Sequence, residues 1–390
     1  MTDPRIARAL EVALERGEVG VQVAAYLDGE LIVEAAAGVA DEAGTPVGLD
    51  TLFPILSAGK AVPAVATHLQ AERGLVEYDA PVARYWPEYG AAGKEGITLE
   101  QVLSHRAGVP QLPEGTTVDD MCDWDLMTTR VAELKPLYPP GTTNSYHALS
   151  FGWILGEVVR RTDPEGRPFG RFVQEEICGP LTIEDLWIGV PEDRDDRCAT
   201  ITSRGYVAAP ADRAPAQALA VPQSIGRPQV FQNRSDFRRA CVPAGNANAT
   251  ARSLARLYAM LAGRGALDGV RLLSAERVER LTVPRDDFSG NDMALGGPRP
   301  YGVGGFALGG ETVYDGVLGD GTVIWHHGGG GTYAWADLDA GLAVAICHNS
   351  LFAAPPDPAD NPFTPLGEAV RAVAADVAAG RSIATTTSTD

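Results

Sequence analysis

The sequence predicts an α/β protein of the α+β type, in which helices flank one antiparallel sheet and a mostly α-helical insertion interrupts it. Strand-like patterns concentrate near the two ends of the 390-residue chain, whereas helical spacing dominates its middle. The N-terminal stretch, within residues 1–20, looks like an amphipathic helix, and residues 367–380 are expected to be helical. We therefore expect both chain ends to add strands to the same sheet and the terminal helices to cover it.

The N-terminal part predicts a hairpin followed by a helix. Residues 19–40 read as two strands that turn at Asp28-Gly29, a dipeptide typical of tight hairpins. An Ala-rich helix is expected from Ser57 to about Arg73, with Gly74 as its stop signal. Pro63 lies inside this helix and should bend it or loosen its first turn.

The rest of the chain completes the predicted domain organisation. Helical spacing recurs in residues 97–108, 150–163, 169–179 and 248–265, an extended loop is expected over 204–245, and strand-like runs occupy 301–309, 321–330, 333–339 and 341–349. These patterns predict a sheet domain from residues 1–75 and 241–381, a mostly helical insertion domain from 76–240, and a disordered tail over 382–390.

Charge and cysteine content exclude several classes of protein. The excess of 51 Asp and Glu over 32 Lys and Arg, a net charge of −19, argues against nucleic acids or anionic membranes as partners. Five scattered cysteines predict reduced, buried thiols rather than a disulfide framework. We find no secretory signal pattern and no apolar run of the ~18 residues that a membrane span needs. A cytoplasmic protein is expected, and its oligomeric state is left open.

The clearest chemical signal is the tetrapeptide Ser57-Ala58-Gly59-Lys60. Side chains three positions apart share a helix face, so that the hydroxyl and the amine can meet. The positive end of the helix dipole favours a developing alkoxide, and a buried lysine can stay neutral and accept the seryl proton. The pattern predicts Ser57 as a nucleophile and Lys60 as its base, although a helix-capping Ser beside a solvated Lys would read the same way.

In its context this element resembles the first box, S-x-x-K, of the serine β-lactamase and penicillin-binding-protein superfamily. The chain is most similar in pattern to the class C-like branch that includes the family VIII carboxylesterases. The similar segments, which together with the first box span about residues 20–350, are 71–89, 97–110, 139–159, 248–261 and 326–337. The resemblance implies a β-lactamase/transpeptidase-like fold.

The resemblance also identifies a second box at Tyr146-His147-Ala148. It implies that Tyr146, as a phenolate or as a relay, shares proton transfer with Lys60. Ala148 stands where β-lactamases carry an Asn whose amide could bind a lactam side chain. Efficient β-lactam hydrolysis is therefore not expected.

The third box, K-T-G in β-lactamases, best matches His326-His327-Gly328, judged by the spacing to the Trp335-Ala336-Asp337 run. A neutral or cationic imidazole of His326 would then bind substrate or steady Tyr146, while a shift by one residue would give this role to His327. The glycines, Gly328 and Gly329 among them, would let a substrate approach the strand closely. By resemblance, the N–H groups of Ser57 and Gly329 would form the oxyanion hole.

The remaining histidines carry weaker expectations. His105 is expected to make structural hydrogen bonds, His68 to be a surface or packing residue, and His348 to have no functional role. The chain lacks H-E-x-x-H and paired Cys/His patterns, so neither a catalytic metal nor a cofactor is expected. It also lacks the G-x-S-x-G nucleophile elbow and the G-x-x-x-x-G-K-[ST] phosphate loop.

Together these observations predict a carboxylesterase-like serine hydrolase that acts on a small-molecule ester or acyl substrate through an acyl-enzyme. Segment 204–245 and the Tyr85-Trp86 region are expected to shape the acyl pocket. Three alternatives stay open: an acyltransferase or peptide-cyclising enzyme, a D,D-peptidase or β-lactamase, and a catalytically silent member that serves structure or binding.

Overall fold

A computed structural model describes residues 3–203, 215–287, 290–309, 315–351 and 360–380. The predicted tail, 382–390, lies outside these ranges, as do residues 204–214 of the predicted loop. Within the described ranges, no helix is both long and apolar enough to cross a bilayer. The cytoplasmic location, the absence of a nucleic-acid partner and the domain boundaries stay predictions.

The described residues form longer strands toward the two ends of the chain and two-residue strands elsewhere. The strands are β1 (Gly20–Leu27), β2 (Glu30–Gly38), β3 (Phe53–Pro54), β4 (Leu186–Trp187), β5 (Asn248–Ala249), β6 (Ala266–Leu267), β7 (Val270–Arg271), β8 (Ala307–Leu308), β9 (Val323–His327), β10 (Tyr333–Asp337) and β11 (Leu342–His348). The run 301–309 was expected to be a strand, but only its two-residue segment β8 pairs with β9.

The helices are distributed along the whole chain. They are α1 (Pro4–Glu15), α2 (Ala61–Glu72), α3 (Val82–Tyr85), α4 (Leu99–Leu103), α5 (Val118–Met121), α6 (Trp124–Glu133), α7 (Ser150–Thr162), α8 (Phe169–Val173), α9 (Pro215–Ala220), α10 (Pro228–Phe231), α11 (Ser235–Arg239), α12 (Ala251–Ala262), α13 (Ala275–Arg280), α14 (Asp315–Leu318) and α15 (Thr364–Ala378). Short 3-10 segments cover Leu56–Lys60, Pro87–Gly93, Glu192–Arg197 and Gln223–Ile225, and a π turn covers Gln174–Cys178.

The main sheet joins the two chain ends, and the predicted fold class is confirmed. Among the described residues it has six strands in the order β2-β1-β11-β10-β9-β8, and every neighbouring pair is antiparallel. The β1–β2 hairpin turns at Asp28 and Gly29, both with positive φ (48° and 85°), as tight hairpin turns require. The first strand then pairs with the last, Val21 opposite His348.

Each face of the sheet covers its own core, because alternate strand residues point to opposite sides. Larger side chains such as Val23, Trp335 and Ile346 share a core with α1 and α15. On the other face, alanines such as Ala334 and Ala345 share a core with α2, α7 and α12. Small side chains on this face let helices pack closely against the sheet, and this is the face toward which Lys60 lies.

Two local expectations were wrong. Segment 204–245 was predicted to be an extended loop, yet its described part forms α9, α10 and α11. The helix expected from Ser57 begins as a 3-10 turn, and its α-helical part starts at Ala61. Pro63 explains the second difference, since its nitrogen has no hydrogen to donate back to that turn. The five cysteines are free thiols, two buried and three partly buried.

Candidate active site

The Ser57 turn is held between two short strands and the core. Phe53–Pro54 pairs with Asn248–Ala249, and the Ile55 N–H continues this ladder to the Ala247 carbonyl at 2.9 Å. Leu56 then adopts φ 47°, a left-handed conformation that is costly for a leucine. Strain of this kind next to Ser57 indicates that the surrounding structure imposes the turn.

The 3-10 geometry brings Ser57 and Lys60 together more directly than an α-helix would. With three residues per turn, side chains at positions i and i+3 lie one above the other. The Lys60 Nζ lies 3.0 Å from Ser57 Oγ. Gly59, between them, must lack a side chain because a Cβ there would approach Ala247 Cβ to 2.6 Å. Sequence reasoning missed Gly59, although a glycine at a helix start was the available signal.

Lys60 is fully buried, and two backbone carbonyls hold its amine. Its Nζ contacts the Ala148 oxygen at 2.6 Å and the Ala244 oxygen at 3.0 Å. Burial lowers the pKa of Lys60 well below its ordinary value of 10.5. A neutral amine has two N–H groups and one lone pair, so that donation to both carbonyls leaves the lone pair for the Ser57 hydroxyl. This arrangement fits a general base.

Tyr146 completes a compact group around the Ser57 hydroxyl. Its ring lies over Lys60, with Nζ 4.8 Å from the ring centroid, and stacks on the Tyr301 ring with centroids 5.8 Å apart. Burial raises the pKa of Tyr146, which outweighs the opposing influence of the nearby Ser57 and Tyr301 hydroxyls. The raised pKa favours a phenol in the resting protein, and the role of Tyr146 as phenolate or as relay stays a prediction.

The segment that carries Tyr146 is anchored by side chains from two other parts of the chain. The Tyr146 N–H donates to Asp292 Oδ1 at 3.0 Å, and the same oxygen accepts the N–H groups of Ala294 and Leu295, both at 2.9 Å. His105 Nδ1 accepts the N–H of His147 at 3.2 Å. His105 thus has the structural contacts expected of it, whereas Asp292 and Tyr301 had no recognisable sequence signal.

His326 lies near the site but outside its cavity. Its ring is 2% exposed and packs 5.0 Å from Phe306 and 6.4 Å from Tyr301. Burial lowers its pKa to about 3, so that the imidazole is neutral rather than cationic. His327 points to the other face of the sheet, 5.4 Å from Trp325. Neither imidazole borders the cavity beside Ser57, and the choice between them for the third box stays open.

The glycines after β9 reach the site directly. Because Gly328 has no side chain, the Ile55 carbonyl can lie close to its backbone. A Cβ at Gly328 would come within 2.6 Å of the Ile55 oxygen. Its N–H donates to the Thr332 oxygen at 2.7 Å, which closes the turn. Gly329 and Gly330 border the cavity, and a Cβ on Gly329 would meet no atom within 4 Å.

A cavity of about 260 Å³ opens beside Ser57, and its lining is largely apolar. The described residues of segment 204–245 form one wall, as expected, with Ala220, Ile225, Phe231 and Phe237 among them. Trp86 instead packs on Tyr89, with ring centroids 5.3 Å apart, and neither Tyr85 nor Trp86 borders the cavity, so that expectation was wrong.

Two other histidines lie in structural settings. His68 is fully buried, with Nδ1 2.6 Å from the Tyr78 hydroxyl and Nε2 2.8 Å from the Gly304 oxygen, which makes it a packing residue and not a surface one. His348 pairs with Glu18 at 2.9 Å. In the described part of the chain, no three His, Cys, Asp or Glu side chains come together as metal ligands would.

Comparisons with known proteins show the family to which this chain belongs. The family model described as Beta-lactamase matches residues 6–368. The chain is 35% identical over 343 residues to the esterase/beta-lactamase LipL of Mycobacterium tuberculosis, covering 85% of this chain and 77% of LipL. It is 28% identical over 375 residues to the esterase EstB of Burkholderia gladioli, covering 87% and 88% of the two chains.

Solved structures share the fold over nearly the whole chain. A penicillin-binding-protein homolog from Caulobacter crescentus superposes with a TM-score of 0.84 at 33% identity, covering 96% of this chain and 98% of the homolog. A family VIII carboxylesterase superposes with the same TM-score at 29% identity and the same coverages.

Proposed function

This chain belongs to the beta-lactamase family, and from that premise we propose that it hydrolyses carboxylic esters of small molecules through an acyl-enzyme on Ser57. The contact of Lys60 Nζ with Ser57 Oγ at 3.0 Å carries the proposal, because two carbonyls occupy the other positions around a buried amine. The esterase names of LipL and EstB support ester substrates over other acyl compounds.

In the proposed reaction, Lys60 takes the proton of Ser57 while Oγ attacks the ester carbonyl. The N–H groups of Ser57 and Gly329 would stabilise the oxyanion, since Gly329 borders the cavity and the first N–H groups of a helical turn lack acceptors within it. As the C–O bond to the alcohol breaks, Tyr146 gives the leaving oxygen its proton and regains one from the Lys60 ammonium. Water then repeats the sequence on the acyl-enzyme and releases the acid.

Turnover of p-nitrophenyl butyrate tests this proposal. We expect Ser57→Ala to abolish turnover and to lose the butyryl adduct that intact-protein mass spectrometry detects on the native enzyme. Lys60→Met should lower kcat/KM by about 10²–10⁴-fold, the usual contribution of a general base. Lys94→Met is the matched control, because Lys94 is equally buried and its Nζ also has three oxygen partners, none of which borders the cavity beside Ser57.

Persistent turnover in Ser57→Ala, or an equal loss in Lys60→Met and Lys94→Met, would contradict the proposal.

A second candidate, opening of a β-lactam ring, is favoured by the name of LipL, which includes beta-lactamase. The cavity has Ala148 where an amide would be needed to hold a lactam side chain. A chromogenic cephalosporin offered to the native enzyme and Ser57→Ala separates the two candidates.

A further inference from the structure

We propose that Asp292 is a positioning residue for the reaction at Ser57, because one of its oxygens joins the backbone of Tyr146 to a wall of the cavity. The inference rests on the proposed ester hydrolysis. Asp292 is 1% exposed, and its Oδ1 accepts the Tyr146 N–H at 3.0 Å. The same oxygen accepts the N–H groups of Ala294 and Leu295, both at 2.9 Å. The three residues that donate to this oxygen all border the cavity, whereas Asp292 itself does not.

The loop that carries Asp292 has its backbone fixed by its own hydrogen bonds. The Asp292 N–H donates to the Gly297 oxygen at 2.8 Å, and the Asp292 backbone oxygen accepts the Gly296 N–H at 2.9 Å. Gly296 and Gly297 have φ of 71° and 66°, a left-handed region that glycine adopts without strain. An isolated bridge pairs Asn291 with Pro298 at the base of the loop. The closed loop therefore holds the carboxylate in place.

The same loop is aligned with the segment just before Tyr146. The Met293 N–H donates to the Asn144 oxygen at 2.9 Å, and Asn144 Nδ2 donates to the Asp287 oxygen at 2.9 Å. These two hydrogen bonds hold the segments side by side, but both involve Asn144, which lies two residues before the phenol. Within this loop, Asp292 Oδ1 is the group that binds Tyr146 itself.

The position of Tyr146 matters because a proton relay works only within hydrogen-bond distance of its partners. Its ring lies over Lys60, with Nζ 4.8 Å from the ring centroid, and a displacement of about 1 Å can lower a rate about 100-fold. Without the Asp292 carboxylate, three N–H groups would lose their acceptor, and the backbone would have to move to satisfy them. Because one oxygen binds all three, Tyr146 and the cavity wall would be displaced together. Asp292 thus acts through Tyr146 without touching the substrate.

The test is how the effect of two Asp292 variants depends on the leaving group. Ethoxide needs a proton as it leaves, whereas p-nitrophenolate leaves as the anion. Asp292→Ala removes the acceptor, so we expect kcat/KM for ethyl butyrate to fall about 10- to 100-fold and kcat/KM for p-nitrophenyl butyrate to fall less than about fivefold. Asp292→Asn keeps an oxygen that can accept the same N–H groups, and it should recover activity on both esters to within about threefold of the native enzyme.

Asp292→Glu provides a second measurement if Asp292→Ala does not fold. It keeps the carboxylate but moves its oxygens by one methylene group, so that a positioning role predicts the same unequal loss on the two esters. Gln22→Ala is the matched control, because Gln22 is 2% exposed, its Oε1 accepts the Ala251 N–H at 2.9 Å, and neither residue borders the cavity. This change should lower the Tm and leave kcat/KM per folded molecule unchanged for both esters.

Equal losses on both esters in Asp292→Ala would indicate a purely structural role and overturn the proposal, as would no loss on either. A loss in Asp292→Asn as large as that in Asp292→Ala would also overturn it. If the native enzyme turns over neither ester, the proposed function fails, which is an outcome separate from any effect of Asp292.

Discussion

Lys60 and Lys94 are both fully buried, yet their partners suit different protonation states. Lys94 donates to three backbone carbonyls, those of Ala91, Ala132 and Leu134. Three acceptors need three hydrogens, which only the ammonium form supplies. Lys60 has two carbonyls and one hydroxyl, and the hydroxyl can donate. The partners thus suit an ammonium at Lys94 and a neutral amine at Lys60, as the proposed role of Lys60 as a base requires.

This difference predicts how activity depends on pH. Burial lowers the pKa of Lys60, so the amine form is present at lower pH than in an exposed lysine, and kcat/KM should fall as the pH drops through this lowered pKa. The chain has only three lysines, Lys60, Lys94 and Lys135, so that ¹⁵N-lysine NMR can follow each Nζ, assigned with Lys94→Met and Lys135→Met. An ammonium signal for Lys60 at a pH of full activity would contradict the prediction.

At the scale of elements, α7 sets the position of one carbonyl that orients Lys60. Gly152 in α7 packs directly on the chain at Ala244, and a Cβ there would overlap the Ala244 amide nitrogen. Tertiary packing therefore requires glycine at this position, even though glycine lowers helix propensity. The close approach brings residues 243–245 over the buried amine, where the Ala244 oxygen accepts from Lys60.

Gly152→Ala should therefore lower activity beyond its effect on stability. The added methyl group must displace the backbone of Ala244, and we expect a loss of about 1–3 kcal/mol in the free energy of unfolding together with a clear fall in kcat/KM. Gly156→Ala is the control, since its Cβ would crowd only the Trp124 ring, at 2.8 Å. Thermal unfolding and ester turnover are measured for both variants. If Gly152→Ala had the same kcat/KM per folded molecule as the native protein, the prediction would be contradicted.

At the scale of the whole molecule, the two chain ends close one sheet. Glu18 precedes β1 and His348 ends β11, and their side chains pair at 2.9 Å with exposures of 2% and 1%. The pair lies where the first strand meets the last strand. Helices α1 and α15 share one core that also includes residues of these strands. Stability of the region that carries β9 and its glycines therefore depends on the N-terminal segment.

Glu18→Leu should destabilise the entire fold. It leaves the buried Nδ1 of His348 without its carboxylate partner, at a cost of about 1–3 kcal/mol. Urea unfolding monitored by tryptophan fluorescence gives this free energy. Glu11→Leu, which removes an exposed partner of Arg8 on α1, should leave the midpoint unchanged. If Glu18→Leu and Glu11→Leu had the same urea unfolding midpoint, the buried pair of Glu18 and His348 would not contribute to stability.

Sequence reasoning succeeded where the signal was local. The Asp28-Gly29 hairpin, helix α12 and the strands β9 to β11 follow from turn chemistry and from periodicities of two and 3.6 residues. The prediction for 204–245 was wrong. Many prolines suggested a loop, but the described part of this segment contains three helices that border the cavity. Sequence reasoning also missed Asp292 and Tyr301, since no short-range pattern links them to Tyr146.

Ser57 and Lys60 are three positions apart, and this spacing alone predicts that a hydroxyl and an amine meet. The state of that pair depends on distant segments. The carbonyls that orient Lys60 come from residues 88 and 184 positions away, and burial by these segments lowers its pKa. Local order along the chain thus determined which groups meet, whereas tertiary packing decided the direction in which the pKa of Lys60 shifts, because desolvation and hydrogen-bond partners exist only in the folded molecule.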